Sequence, residues 1–317
     1  MLKINFNKDF DRNKYYEKIS KKSFLISKNE ILKNHIKGFS KDKITIEELF
    51  NYLKSEKIEN FDKYFKDISL KCLLIGKFET IKIIKEQIKT DDKIKNNKLL
   101  KFVFDYTKNH QSMIKPFFED NFKIYTCYYC NIDFINIYQV KSTKKNKFTL
   151  DHYFDKSTYP YLALSLYNLI PSCYTCNSKL KKIEEFKNLA PNSKNFDFHQ
   201  KVKFKLFLDN SCKDLHIKNK DDVDIELKEQ FSDMYEKYIE VFKLNERYKA
   251  HKDIVFEMIK KAELYPESML KELQGLTGIP FQQIKKDIFN LIDENGDLSK
   301  KPFSKLVVDI SYELKLY

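Results

Sequence analysis

Arginine is almost missing from this chain. Of its 59 Lys and Arg residues only Arg12 and Arg247 are arginines, in a sequence of 317 residues with a formal net charge of +13. A positive balance of that size points to a polyanionic partner, and the shortage of guanidinium groups narrows how that partner would be held. Lysine ammoniums bind phosphates as point charges, whereas base edges are read best by the bidentate arginine fork. The composition suits contact with a phosphate backbone and argues against dense reading of base sequence. A solvated lysine surface with no partner would give the same charge, so charge alone does not decide the matter.

Long apolar runs are missing too. No segment reaches the ~18–20 uninterrupted apolar residues of a membrane span, and Met1 to Lys8 lacks the apolar stretch of a secretory signal. The chain reads as a cytosolic protein with no membrane partner. Internal repeats and low-complexity linkers are also lacking. Apolar residues make up 42% of the chain, enough to bury a real core, and the length suits about two domains.

What is present is cysteine in pairs. In a reducing compartment such pairs are read as metal ligands rather than disulfides. Cys127-x-x-Cys130 and Cys173-x-x-Cys176 form two knuckles, leaving Cys72 and Cys212 as spares expected to be small core residues. Four thiolates at about 2.3 Å close a tetrahedral zinc shell with no position for substrate, the structural form of a zinc site. The interval between the knuckles is longer than in a simple zinc ribbon. It holds Leu150-Asp151-His152 and Asn168-Leu-Ile-Pro-Ser-Cys173, and Asn177 follows the second knuckle directly.

Periodicity divides the chain into residues 1–109, 110–200 and 201–317. In the first region Thr45-x-x-Glu48 fits a capping box ahead of Leu49, Phe50 and Leu53. Leu70, Leu73 and Leu74, then Ile81, Ile84 and Ile88, continue at helical spacing, with Gly76 as a break. In the second, Ile132 to Val140 suits an extended segment, Lys141–Lys147 an exposed hairpin tip, and Phe148–His152 the returning strand. A short strand over Asn168–Pro171 and a helix from about Thr175 to Phe186 follow. In the third, Lys201–Leu206 alternates as a strand. Leu227, Phe231, Met234, Tyr238 and Val241 then step as a long helix. Further helices are expected around Ile254–Ala262, Phe281–Leu291 and Phe303–Leu314, the last with Pro302 near its first turn.

The knuckles, the Asp-His pair and the two asparagines together resemble the HNH, or ββα-metal, nuclease family over residues 127–182. The resemblance implies a zinc-stapled ββα element, and with the helical periodicity on either side the chain is expected to be α+β, mainly α, with that element between helical flanks. It implies hydrolysis of DNA phosphodiesters, and the lysine-dominated charge suits low sequence specificity. His152 would be the general base that activates water, and Asp151 with Asn177 would bind Mg²⁺ or Mn²⁺ through oxygen ligands. Asn168 would keep the loop and the base histidine in register. Many family members carry a lysine three residues beyond the final Asn. Here that residue is Leu180, so Lys181, at i+4 from Asn177, is the better candidate for a phosphate contact. Lys144 and Lys145 at the hairpin tip and Lys156 in the following loop are the other candidate nucleic-acid contacts.

Two rival readings stand beside this one. The first is a zinc-stapled nucleic-acid-binding module without catalysis. The second is a nuclease whose target is RNA or a single strand. Tyr159-Pro160, Cys176-Asn-Ser-Lys179 and Lys301–Leu306 further resemble stand-alone bacterial HNH proteins, some of which act in anti-phage defence beside an ATPase partner, as in Septu-type systems. That likeness implies helical flanks that dock such a partner.

Overall fold

Local signals near the N-terminus are obeyed closely. Thr45 Oγ1 accepts from Glu48 N at 3.2 Å and the Glu48 carboxylate accepts from Thr45 N at 2.9 Å. This reciprocal cap starts the helix Ile46–Ser55, which buries Leu49, Phe50 and Leu53. Gly76 separates the helices Leu70–Ile75 and Phe78–Ile88, where a Cβ would collide with the Cys72 carbonyl. Cys72 itself is exposed, not a core residue. The structure is a computed structural model that describes residues 1–4, 10–37, 39–88, 92–186, 189–208 and 217–317. Cys212 lies outside the described residues.

The chain is α+β and mainly helical. Its described strands form separate antiparallel pairs: β1 (Ser23–Leu25) with β2 (Lys43–Thr45), β3 (Ile137–Val140) with β4 (Thr143–Asn146), β5 (Thr149–His152) with β6 (Leu169–Ser172), and β7 (Val202–Leu208) with β8 (Val223–Glu229). Here the central region departs from expectation. The strand carrying Asp151 and His152 does not return along Ile137–Val140; it pairs with β6, with Asp151 opposite Ile170 and His152 opposite Leu169. Burial explains the choice. Leu150, Asp151 and His152 are buried and so is every residue of β6, so each strand needs an inner partner for its backbone groups. The lysine-bearing β3–β4 hairpin closes on itself instead, turning at Lys141 with φ 54°.

In the C-terminal region Leu227 belongs to a strand rather than a helix. Val223, Ile225 and Leu227 are buried in alternation along β8, and Leu227 faces Phe204 of β7. The expected long helix is reduced to Glu236–Val241, because Phe231 is fully exposed in the left-handed region at φ 64°. Helices Lys252–Leu264, Phe281–Phe289 and Ser304–Glu313 form on the expected residues. Pro302 falls just before the last helix, whose N-cap is Phe303. Helix Glu267–Thr277 was not foreseen.

One apolar core runs from Met1 to Ile310, crossing both expected boundaries, with a small satellite around Leu270, Ile284, Phe289 and Leu316. The three regions therefore pack together. Tyr129 of the first knuckle stacks on Phe242 at 4.6 Å between ring centroids, and the Tyr238 and Tyr248 hydroxyls donate to the carbonyls of Tyr129 and Cys130. The C-terminal region thus grips the knuckle directly. No described helix is long and apolar enough to cross a membrane.

Candidate metal centre and adjoining cleft

The four knuckle cysteines meet. All four Sγ atoms lie within 4.8 Å of one another, and all four residues are buried. Backbone N–H groups point at three of the sulfurs: Ile132 N lies 3.4 Å from Cys130 Sγ, Cys173 N 3.3 Å from Cys127 Sγ, and Cys176 N 3.4 Å from Cys173 Sγ. Such donors stabilise thiolates more than thiols. The centre can hold one metal ion such as zinc, with all four corners filled by protein.

Sequence reasoning missed the residue that caps this centre. Arg247, in the helix Leu244–Lys249, lies 3.3 Å from Cys176 Sγ through Nη1 and 3.5 Å from Cys130 Sγ through Nη2, and Nη2 also reaches Asp133 Oδ2 at 3.2 Å. Burial pulls its pKa down, but the sulfurs of Cys130 and Cys176 outweigh that and hold the guanidinium charged. Four thiolates around a divalent ion leave two net negative charges, and Arg247 offsets part of them. The available signal was rarity, since this is one of only two arginines in the chain.

Beside the four cysteines, β5, held by its pairing with β6, carries the Asp-His pair into a cleft of about 320 Å³. His152 Nε2 lies 3.0 Å from the Ala163 carbonyl. A carbonyl can only accept, so Nε2 carries the proton and Nδ1 keeps the lone pair. The Tyr106 ring packs edge-on against the imidazole at 4.7 Å. Burial, helped by the nearby Lys156 charge, lowers the His152 pKa to about 3 against the opposing Ala163 bond. The imidazole is therefore neutral at physiological pH.

Asp151 is 3% exposed and its Oδ2 is already engaged, by the Tyr129 hydroxyl at 2.6 Å and Lys181 Nζ at 3.1 Å. Burial raises its pKa, opposed chiefly by Lys181 and Tyr129. Lys181 corrects a sequence expectation. It is fully buried, also donates to the His152 carbonyl at 3.1 Å, and does not reach the cleft surface. The cause is backbone winding. Thr175–Lys181 coils with the wide i→i+5 spacing of a π-turn and stops at Lys182, φ 50°, rather than running on as an α-helix to Phe186. Lys181 is turned beneath β5, and Lys182 lines the cleft in its place.

The two asparagines divide their work. Asn168 is fully buried. Its Oδ1 accepts from Phe154 N at 2.7 Å, and its Nδ2 donates to the Phe154 and Leu162 carbonyls at 3.0 and 2.9 Å. It ties the loop next to Ala163, the acceptor of His152, and does not line the cleft. Asn177 does line it, with Nδ2 donating to Thr149 Oγ1 at 3.0 Å. The bonds of Asn177 and Asp151 use Asn177 Nδ2 and Asp151 Oδ2, which leaves Asn177 Oδ1 and Asp151 Oδ1 as oxygens a cation could use. Both are hard donors of the kind Mg²⁺ takes, though the Lys181 ammonium already balances the carboxylate charge.

Of the remaining candidate lysines, Lys156 Nζ bonds Thr107 Oγ1 at 2.9 Å at the cleft edge. Lys144 pairs with Asp120 at 2.5 Å, and Lys145 is exposed opposite Tyr138 on the hairpin. Lys115, from the helix Gln111–Asn121, is a cleft residue that the sequence reading did not single out.

Fold and site together define an α+β chain in which a buried four-thiol cluster, able to hold a metal, adjoins a polar cleft with a neutral histidine. No protein-family model, curated protein or solved structure matches the chain.

Proposed function

We propose that the chain is a metal-dependent endonuclease of the HNH type, hydrolysing phosphodiester bonds of DNA. Zinc would occupy the four-cysteine centre, and Mg²⁺ or Mn²⁺ would be held by Asp151 and Asn177. The observation that carries this reading is the orientation of His152: Nε2–H is committed to the Ala163 carbonyl, so a neutral imidazole offers its Nδ1 lone pair beside Asp151 and Asn177. A general base needs that form at working pH.

The residues then have distinct tasks. His152 Nδ1 accepts the proton of the attacking water, and the Ala163 bond fixes the ring while it does so. Asn168 positions the loop that supplies Ala163, so it acts through the loop and not on substrate. Lys115, Lys156 and Lys182 draw phosphate into the cleft. A divalent cation, when bound, neutralises charge on the phosphate and the departing oxygen. Closing the zinc shell fixes Cys176, and with it the turn that sets Asn177 against Thr149.

The Lys181–Asp151 pair favours a second reading, a zinc-stapled nucleic-acid-binding module without catalysis, because it occupies one carboxylate oxygen and cancels charge a cation would want. Supercoiled plasmid separates the two. After mild chelation, nicking that returns with Mg²⁺ or Mn²⁺ and not with Zn²⁺ alone supports the nuclease. Plasmid binding with no nicking under any divalent ion supports the module.

A further inference from the structure

Lys108, Gln111, Ser112 and Lys115 recur at helical spacing along the turn Tyr106–His110 and the helix Gln111–Asn121. This face borders two hollows. One is the cleft over Asp151 and His152. The other, of about 420 Å³, lies between Lys108, Pro116 and Lys144 of β4. Thr107, Gln111 and Lys115 line both. The two hollows are one groove, running from His152 to the β3–β4 hairpin.

Lysines outnumber carboxylates along this groove: Lys108, Lys115, Lys144, Lys156 and Lys182 line it against Asp151, Asp155 and Glu119. Among the described residues, Lys108, Lys115, Lys156 and Lys182 have no carboxylate partner. Lys115 Nζ rests over the Phe148 ring at 5.6 Å and Lys156 Nζ over the Tyr106 ring at 5.4 Å. Rings and hydroxyls orient an ammonium without cancelling its charge. Of the acids at the far end, Asp120 is paired with Lys144, whereas Glu119 accepts from the neutral Asn146 amide and keeps its charge.

We propose that this groove is the track for the nucleic-acid backbone flanking the scissile phosphate, gripped through phosphates by Lys108, Lys115 and Lys156. The proposal rests on the nuclease reading of the His152 cleft and adds the direction in which substrate leaves it. Arginine is not among the groove residues, so the grip is indifferent to base sequence.

The test is the salt dependence of affinity, read by fluorescence anisotropy with a labelled random-sequence DNA, duplex in one arm and single-stranded in the other, in EDTA. Magnesium-dependent cleavage of the same DNA is read in parallel. Lys108→Ala and Lys115→Ala should each lower the slope of log K against log salt by about 0.9 on duplex or about 0.7 on a single strand. Lys271→Ala and Lys285→Ala, on the helices Glu267–Thr277 and Phe281–Phe289, should leave it unchanged. The arm that shows its characteristic decrement identifies the strandedness. A wild type that cleaves DNA while the groove substitutions leave the slope unmoved overturns the track alone. A wild type that neither binds nor cleaves overturns the track and the nuclease reading together.

Discussion

Replacing Lys181 with methionine isolates the least expected contact in the cleft. Lys181 and Asp151 are 0% and 3% exposed at the side chain, and the ammonium lies 3.1 Å from Oδ2. Removing one member of a buried pair leaves an uncompensated charge, a loss of about 3–5 kcal/mol. At roughly 2–4 °C per kcal/mol the melting temperature should fall by about 10 °C at pH 8. The pH dependence has a definite sign. Asp151 already has a raised pKa from burial, and Lys181 is the first influence holding it down. Its removal raises the pKa further, so the folded variant binds a proton that the unfolded chain does not. The deficit should therefore shrink as pH falls through that raised value. Asp151→Asn in the Lys181→Met background removes the stranded charge and keeps an acceptor for Tyr129. It should recover most of the loss, leaving about 1 kcal/mol for the His152 carbonyl that Lys181 no longer serves. Thermal melts of wild type, both singles and the double at pH 8 and pH 5.5 read all of this. The reasoning fails if Lys181→Met melts within about 2 °C of wild type at pH 8, or if the second substitution rescues nothing.

Other outcomes follow from the same contacts. Arg247→Gln removes the charge shared by Cys130 and Cys176, and zinc transfer to a chromophoric chelator should become on the order of tenfold faster while the zinc content as purified stays near one equivalent; an unchanged rate would remove Arg247 from the centre's electrostatics. Cys176→Ser should lower both zinc content and melting temperature, and added Mg²⁺ should restore neither; retention of both would dismantle the four-cysteine site. His110 and His152 have pKa values lowered by burial to about 4 and about 3. Both groups contribute stability that is present above the ordinary histidine value of about 6.5 and is lost as pH falls toward those values, at about 1.4 kcal/mol per histidine per pH unit. Urea titrations between pH 7 and pH 5 should show the decline, with a shallower slope in His110→Phe.

Much of the site was legible because its spacing is local. Two residues between paired cysteines, Asp next to His, and Asn directly after Cys176 are short-range patterns; the four sulfurs come together, and Asp151, His152 and Asn177 line one cleft. The Thr45–Glu48 cap was legible for the same reason. What escaped depends on long-range packing or on an unusual backbone. Arg247 reaches sulfurs 71 and 117 residues away in sequence, which no local pattern encodes. Lys181 was assigned to an exposed helix face by α-helical spacing, and a π-turn put it in the interior. The pairing of β5 with β6 is decided by burial on both strands, a property absent from hydrophobic alternation alone. Leu227 fits a helical step toward Phe231 as well as it fits alternation with Val223 and Ile225, and only the partner strand β7 chooses between them.

Single-turnover cleavage of labelled DNA by wild type and His152→Ala, in preparations matched for zinc content and melting temperature, tests the central claim most directly. With the base removed and the zinc retained, Mg²⁺-dependent cleavage should slow by about 10²–10⁴-fold with DNA affinity nearly unchanged. A His152→Ala protein that still cuts within about threefold of wild type would contradict the assignment of His152 as the proton acceptor, and with it the hydrolytic reading of the cleft.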